Sequence, residues 1–154
     1  MRLLIPSLDL NVAVTEVSWD LVLSDGIWQS VWQTAEGSAG HHRNSANPGE
    51  EGNVVISGHH NTRGEVFRQV SEIGLPGNSL DVGDEIVLVN KDDQRFTYTV
   101  VEWARFQEEG ITVQERQNHA KYLAPTADET VTLITCWPYD SNTHRVVVVA
   151  KFQP

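Results

Sequence analysis

The sequence is poor in three features: cysteine, positive charge and long hydrophobic runs. Its 154 residues include one cysteine, which excludes a disulfide within the chain and a zinc site made of four thiolates. Lys and Arg total 11 against 21 Asp and Glu, a formal net charge of −10. This balance argues against nucleic acid or an anionic membrane surface as the partner, because both require clustered positive charge. No stretch approaches the roughly 18 consecutive apolar residues of a membrane helix.

The N-terminal residues 1–6 do not have the pattern of a signal peptide, because their apolar run is short and ends at Pro6. Residues 3–17 already have the alternating pattern of a folded domain. This pattern is compatible with an anchor or export segment upstream of the sequence given.

The composition is otherwise that of an ordinary globular protein, with 40% hydrophobic and 21% charged residues. The sequence contains neither an internal repeat nor a stretch that reads as a linker. At this length we predict a single domain that covers residues 1–154.

Most apolar residues lie in short runs separated by turn-forming residues, which indicates an all-β barrel or closed sandwich. The Gly-, Ser- and His-rich segment 37–52 is predicted to be a long surface loop. One or two short helices complete the prediction: 65–73 has one apolar face, and 107–121 is either a loop or a helix. The predicted strand regions are 8–14, 53–57, 85–89, 95–103, 130–136 and 145–152, with strand and turn pieces over 19–32.

Cys136 is the first candidate for chemistry. A lone thiol is either a small buried hydrophobe or a reagent. Cys136 closes the predicted strand 130–136, and Pro138 cannot continue a sheet ladder, so we expect the thiol at the rim of the barrel. There it can meet solvent and substrate, which favours a nucleophile over a core residue.

Two further side chains lie at strand ends and can act with this thiol. Arg145 opens the strand that follows Cys136; if the two strands are antiparallel neighbours, its guanidinium can bind a substrate carbonyl or oxyanion. His59 ends another strand and can serve as a general acid and base. His60 competes for that role, but adjacent residues in an extended segment point to opposite faces, so only one of the two can point at Cys136. A solvated Arg145 and a structural His59 are the alternatives.

Together these residues resemble the three signatures of the sortase family. The signatures are Ser57-Gly58-His59, the run Thr132-Leu133-Ile134-Thr135-Cys136, and an Arg that opens the following strand. Segments 2–6, 48–53 and 82–86 are also similar to the family in order and residue type. The resemblance therefore covers nearly the whole chain.

The resemblance implies an all-β, sortase-like eight-stranded β-barrel with one or two short helices and a two-step acyl transfer that needs no cofactor. It implies that Cys136 attacks the Thr–Gly bond of a signal similar to Leu-Pro-x-Thr-Gly and forms a thioacyl-enzyme. His59 is expected to protonate the leaving amine and to deprotonate an incoming amine, while Arg145 holds the carbonyl or oxyanion. The implied partners are surface proteins with a C-terminal sorting signal and an amine of a cell-wall precursor or pilin lysine, met at the extracellular face of the cell membrane.

Other positions are secondary candidates. Thr135 is expected to line the substrate pocket, and Trp137 either shapes specificity or covers the barrel mouth. The Asp-Pro-aromatic lid of many pilus-building sortases is missing, since Asp25-Gly26-Ile27-Trp28 does not match it. Some sortases bind calcium, but Glu108 and Glu109 are expected to be solvated. No metal site is predicted, and the subclass is not assigned.

Three other interpretations compete with this one. The L,D-transpeptidases of peptidoglycan cross-linking also use Cys, His and Arg, but their Ser-x-Gly-Cys signature is missing. A metal-binding barrel is suggested by His41-His42 and His59-His60, although adjacent side chains diverge when extended. The non-enzyme alternative is an all-β surface or adhesion module in which Cys136 is inert.

Overall fold

The computed structural model describes residues 1–24, 26–33 and 35–154. Asp25, the first residue of the stretch compared with a sortase lid, lies outside the described residues. The strands of the described part are β1 Arg2–Ile5, β2 Leu10–Val17, β3 Trp19–Ser24, β4 Ile27–Trp32, β5 Ala39–His42, β6 Asn53–Ser57, β7 Glu85–Val89, β8 Arg95–Gln107, β9 Thr130–Trp137 and β10 His144–Phe152.

Eight of these strands close into a barrel in the order β1-β2-β5-β6-β9-β10-β8-β7, and β7 pairs with β1 to complete the ring. The pairs β2–β5 and β6–β9 are parallel, and the other neighbours are antiparallel. Strands β3 and β4 form a separate hairpin. The eight-stranded barrel expected from the sortase resemblance is confirmed.

The barrel interior is filled by side chains that alternate inward along each strand. In β9 these include Val131 and Leu133, and in β10 Val146 and Val148, all with no exposed surface. Branched aliphatic side chains pack well on a pleated surface, which is why such runs form strands. The residues that alternate with these along β9 and β10 face outward. That outer face carries the candidate site.

Segment 37–52 is not the continuous surface loop that its composition predicts. Residues 39–42 form β5, a buried strand between β2 and β6. Gly40 allows this close approach, because a Cβ there would lie 2.8 Å from a methyl group of Val17. The polar side chains are satisfied locally, since His41 Nε2 lies 2.9 Å from the Ala46 carbonyl and His42 Nε2 lies 2.9 Å from Ser57 Oγ. Tertiary pairing therefore overrides a composition that is typical of loops.

The helices are short. Helix α1 spans Arg68–Ser71 inside the predicted 65–73, and α2 spans Val113–Ala120 inside 107–121. The start of α2 is fixed by a capping box, in which Thr112 and Glu115 bond each other's backbone N–H. Two 3-10 turns cover Pro6–Leu8 and Lys121–Leu123. Among the described residues, no helix has the length and apolar character needed to cross a membrane.

Candidate active site

Cys136 and Arg145 are direct neighbours across two strands. They are register partners in the antiparallel β9–β10 pair. Both are half-buried, and both have the parity opposite to the core residues Leu133 and Val146, so they lie on the outer face of the barrel near the end of β9. The two strands are antiparallel neighbours, which is the condition that the sequence argument for Arg145 set, and the register adds the face on which the two residues lie.

The chain that leaves β6 brings His59 alongside this pair. Ser57 is the register partner of Ile134, and the Gly58 N–H continues the ladder by donating to the Ile134 carbonyl at 3.2 Å. Continued by two residues, this register pairs His59 with Cys136 and gives both the same outward parity. Glycine is required in between, because a Cβ on Gly58 would lie 2.5 Å from the buried ring of Phe67.

The two adjacent histidines have different surroundings. His60 is 2% exposed, and its Nε2 lies 3.2 Å from the Pro138 carbonyl. A carbonyl can only accept, so this nitrogen of His60 donates and cannot act as a base. His59 is half-buried, and its Nε2 has no hydrogen-bond partner among the described residues. His59 therefore has a ring nitrogen, Nε2, that is left for proton transfer.

Burial sets the protonation states of the thiol and the imidazole. It raises the pKa of Cys136, and the positive charge of Arg145 offsets part of that rise. It lowers the pKa of His59, and the charges of Arg63 and His60 lower that pKa further. At neutral pH the two groups therefore rest as a thiol and a neutral imidazole.

The loop between β9 and β10 holds Arg145. Nη1 of this residue donates to the carbonyl of Asn142 at 3.1 Å and to that of His144 at 3.3 Å. These bonds direct one edge of the guanidinium toward the loop backbone. Sequence reasoning identified the loop only as a turn and did not find Asn142 as a support for the candidate site.

Thr135 and Trp137 flank Cys136 in β9, so their side chains face the opposite side of the sheet from the thiol. Thr135 is 3% exposed, and its hydroxyl donates to the Gly58 carbonyl at 2.7 Å, which ties β9 to the segment carrying His59. Trp137 packs against the core, and the Arg105 guanidinium lies 4.6 Å from its ring centre. These contacts favour the covering role for Trp137; the substrate contacts expected of both residues stay predictions.

An aromatic cluster borders the site on the side of Arg145. Phe106 of β8 is the register partner of Arg145, and its ring stacks on His119 at 4.1 Å and on Tyr122 at 5.8 Å. These contacts attach α2 and the following 3-10 turn to the outer face. The sequence did not reveal this cluster, because α2 has no strong apolar face and contains no buried residue.

Glu108 and Glu109, the two acidic residues considered for calcium, have different surroundings. Glu109 is exposed as expected, but the expectation for Glu108 is wrong. Its carboxylate lies 3.5 Å from Arg116 Nε and 3.3 Å from His119 Nδ1, because α2 folds back over this strand end. Within the described part of the chain, no three His, Cys, Asp or Glu side chains form a group that could hold a metal ion.

Comparison with known proteins agrees with this arrangement. A sequence model of the sortase domain matches residues 3–153. The chain belongs to the sortase family. Sortases are cysteine transpeptidases, so the general activity of this sortase is acyl transfer through a cysteine thiol. A search of curated proteins finds no match.

Solved sortase structures share the fold over 99% of this chain. A sortase D5 transpeptidase from Clostridium perfringens is 26% identical, with a TM-score of 0.67 and 78% of its own chain covered. Sortase A from Listeria monocytogenes is 23% identical, with a TM-score of 0.67 and 86% covered. A lid mutant of sortase A from Corynebacterium diphtheriae is 23% identical, with a TM-score of 0.70 and 69% covered.

Proposed function

We propose that this sortase cleaves a sorting signal similar to Leu-Pro-x-Thr-Gly between Thr and Gly and transfers the acyl group to an amine. The proposal assigns Cys136 as the nucleophile, His59 as the general acid and base, and Arg145 as the group that binds the carbonyl or oxyanion. The observation that carries it is the register pairing of Cys136 with Arg145 on adjacent strands, with His59 two residues beyond the end of β6, the strand that pairs with β9 on its other side. One acyl group can contact side chains that project from neighbouring strands on one face.

The first step forms a thioester. The Cys136 sulfur bonds to the threonine carbonyl carbon while the thiol proton passes to His59, which rests as a neutral imidazole. The carbon–nitrogen bond then breaks, and His59 returns that proton to the departing glycine amine. In this step the negative charge that develops on the carbonyl oxygen is stabilised by the Arg145 guanidinium.

The second step reverses the order. An incoming amine attacks the thioester, its surplus proton passes to His59, and the carbon–sulfur bond breaks. His59 then reprotonates the Cys136 sulfur, so the enzyme returns to its resting state. Thr135 and Trp137 remain candidates for contact with the signal, and both also support the strand that carries the thiol.

The wider setting follows from the family. We propose that the substrates are surface proteins with a C-terminal sorting signal, that the acceptor is a cell-wall precursor or pilin lysine, and that the reaction occurs at the cell surface. We also propose that residues 1–154 act as one catalytic domain, which the match over 3–153 supports.

The test is product analysis of a sorting-motif peptide library incubated with and without glycine- and lysine-terminated amines. Mass spectrometry should find cleavage after Thr and, with amine present, the matching conjugate. Cys136→Ala should abolish both products while the circular dichroism spectrum stays unchanged. If Cys136→Ala still forms either product, the proposed mechanism is wrong. A native thiol that iodoacetamide does not label, together with no products, would favour the inert surface module.

A further inference from the structure

A single side-chain amide connects the segment that follows His59 to the loop that holds Arg145. We propose that Asn61 is a positioning residue for acyl transfer, which holds the guanidinium of Arg145 in place relative to Cys136 and His59. This inference rests on the proposed function for its activity readout, and it has a second readout that needs no peptide substrate.

The amide of Asn61 donates to two acceptors in the β9–β10 loop. Its Nδ2 lies 2.6 Å from the carbonyl of Tyr139 and 3.1 Å from Oδ1 of Asn142. One NH2 group carries two hydrogens, so both bonds can form at once. The partners are separated from Asn61 by about half the chain, so the bonds join two segments that are far apart in sequence.

Asn142 carries this connection on to Arg145. The same residue that accepts from Asn61 through its side chain accepts from Arg145 Nη1 through its carbonyl at 3.1 Å. Asn142 adopts a left-handed backbone conformation, with φ of 59°, which asparagine tolerates better than most residues. The path from His59 to Arg145 therefore contains Asn61 and Asn142, and each step is a hydrogen bond or a short stretch of backbone.

Other contacts between the same two segments end elsewhere on the loop. His60 bonds the Pro138 carbonyl, and the Tyr139 hydroxyl donates to Glu65 at 2.7 Å. The Arg68 guanidinium lies 4.1 Å from the centre of the Tyr139 ring. These contacts hold the loop near Cys136 without Asn61, so we expect its loss to leave the fold intact. Among these contacts, the bond from Asn61 to Asn142 is the one that reaches the residue holding Arg145.

The position of Arg145 matters to the chemistry in two measurable ways. A guanidinium displaced from the acyl oxygen loses stabilisation of the transition state, and a displacement of about 1 Å can cost about 100-fold in rate. The same guanidinium offsets part of the rise in the Cys136 pKa, so its displacement should also make the thiol harder to ionise.

The test compares three amide-to-carboxylate changes. Asn61→Asp removes both donors and faces two acceptor oxygens with a carboxylate. Asn142→Asp adds the same charge at the other end of the bond but keeps an acceptor for Asn61. Asn44→Asp adds the charge at an exposed position outside the two connected segments. Asn61→Ala separates loss of the donors from the added charge.

For each variant, kcat and KM are measured with a cleaved signal peptide, the iodoacetamide labelling rate of Cys136 is measured against pH, and Tm is recorded. We expect Asn61→Asp and Asn61→Ala to lower kcat by about tenfold or more and to raise the labelling midpoint by about half a pH unit. Asn142→Asp should lose less activity than Asn61→Asp, and Asn44→Asp should match the wild type.

The outcomes separate the two proposals. If the wild-type protein cleaves no signal peptide, the proposed function fails, and the labelling midpoint still decides the role of Asn61. If both Asn61 variants keep the wild-type kcat and labelling midpoint, Asn61 does not position Arg145. A loss of activity that follows a fall in Tm, with the midpoint of the folded protein unchanged, would also overturn the inference, because it would describe a structural contact.

Discussion

Arg145 lies directly across from Cys136 in the antiparallel ladder of β9 and β10. Register in a sheet is set residue by residue, and a slip of one position would turn one of the two side chains to the opposite face. The inward residues on the same strands, Leu133 and Val148, are register partners with no exposed surface, so the core holds this register. Core packing therefore fixes the backbone positions from which Cys136 and Arg145 project.

This relationship predicts the effect of changing the guanidinium at constant charge. Arg145→Lys should lower kcat/KM for the signal peptide by about 100-fold, because an ammonium cannot present the planar fork that binds an oxyanion. Arg95→Lys, an exposed change at the other end of the sheet, is the matched control and should be silent. Wild-type turnover by Arg145→Lys would argue against the role assigned to Arg145.

The two adjacent histidines allow a paired test with one substitution. His59→Gln should reduce turnover by about 100-fold or more, because an amide cannot transfer the proton. His60→Gln should keep most of the activity, because the amide can still donate to the Pro138 carbonyl that His60 bonds now. Steady-state kinetics on both variants decides the assignment. The reverse pattern would move the acid–base role to His60.

Much of the fold could be predicted because β-branched runs lie between clear turn signals. Strands β6 and β7 have the predicted bounds, and β9 extends one residue beyond the prediction. Strand β5 was missed because its Gly and His residues are held by neighbouring strands and by hydrogen bonds that no local pattern encodes.

The candidate site was predictable to the level of residue type and strand end. The signature positions Cys136 and Arg145 lie together as the antiparallel hypothesis required. The outer face was not predictable, because inward and outward parity depend on how the barrel closes. The contacts of Asn61 and Asn142 were not predictable either, because they join loops that are far apart in sequence.

The resting protonation state gives a pH prediction for Cys136. Burial raises the pKa of its thiol, so iodoacetamide labelling should be slow at neutral pH and should increase with a midpoint above that of an unperturbed thiol. Arg145→Gln should move the midpoint higher, since Arg145 is the charge that opposes the rise. Labelling rates across the alkaline range provide the measurement. A plateau already reached at neutral pH would mean that the thiolate is the resting form.

The buried His42 predicts how stability depends on acid. This residue is 3% exposed beside Ser57, and burial, with a contribution from His41, lowers the pKa of its imidazole to about 4. The unfolded chain, with an ordinary histidine pKa of about 6.5, binds the proton first, so His42 contributes stability above that pH that is lost as the pH falls toward 4. At about pH 4.5 the loss from this residue should be roughly 2–3 kcal/mol.

The measurement is urea unfolding of the wild type and of His42→Gln at about pH 7 and about pH 4.5. Glutamine can keep a hydrogen bond to Ser57 but does not titrate, so the variant should lose less stability on acidification than the wild type does. His119→Gln is the control, because His119 is on the outer face and its replacement leaves the buried imidazole in place. Equal acid sensitivity in the wild type and His42→Gln would show that His42 is not the group protonated on unfolding.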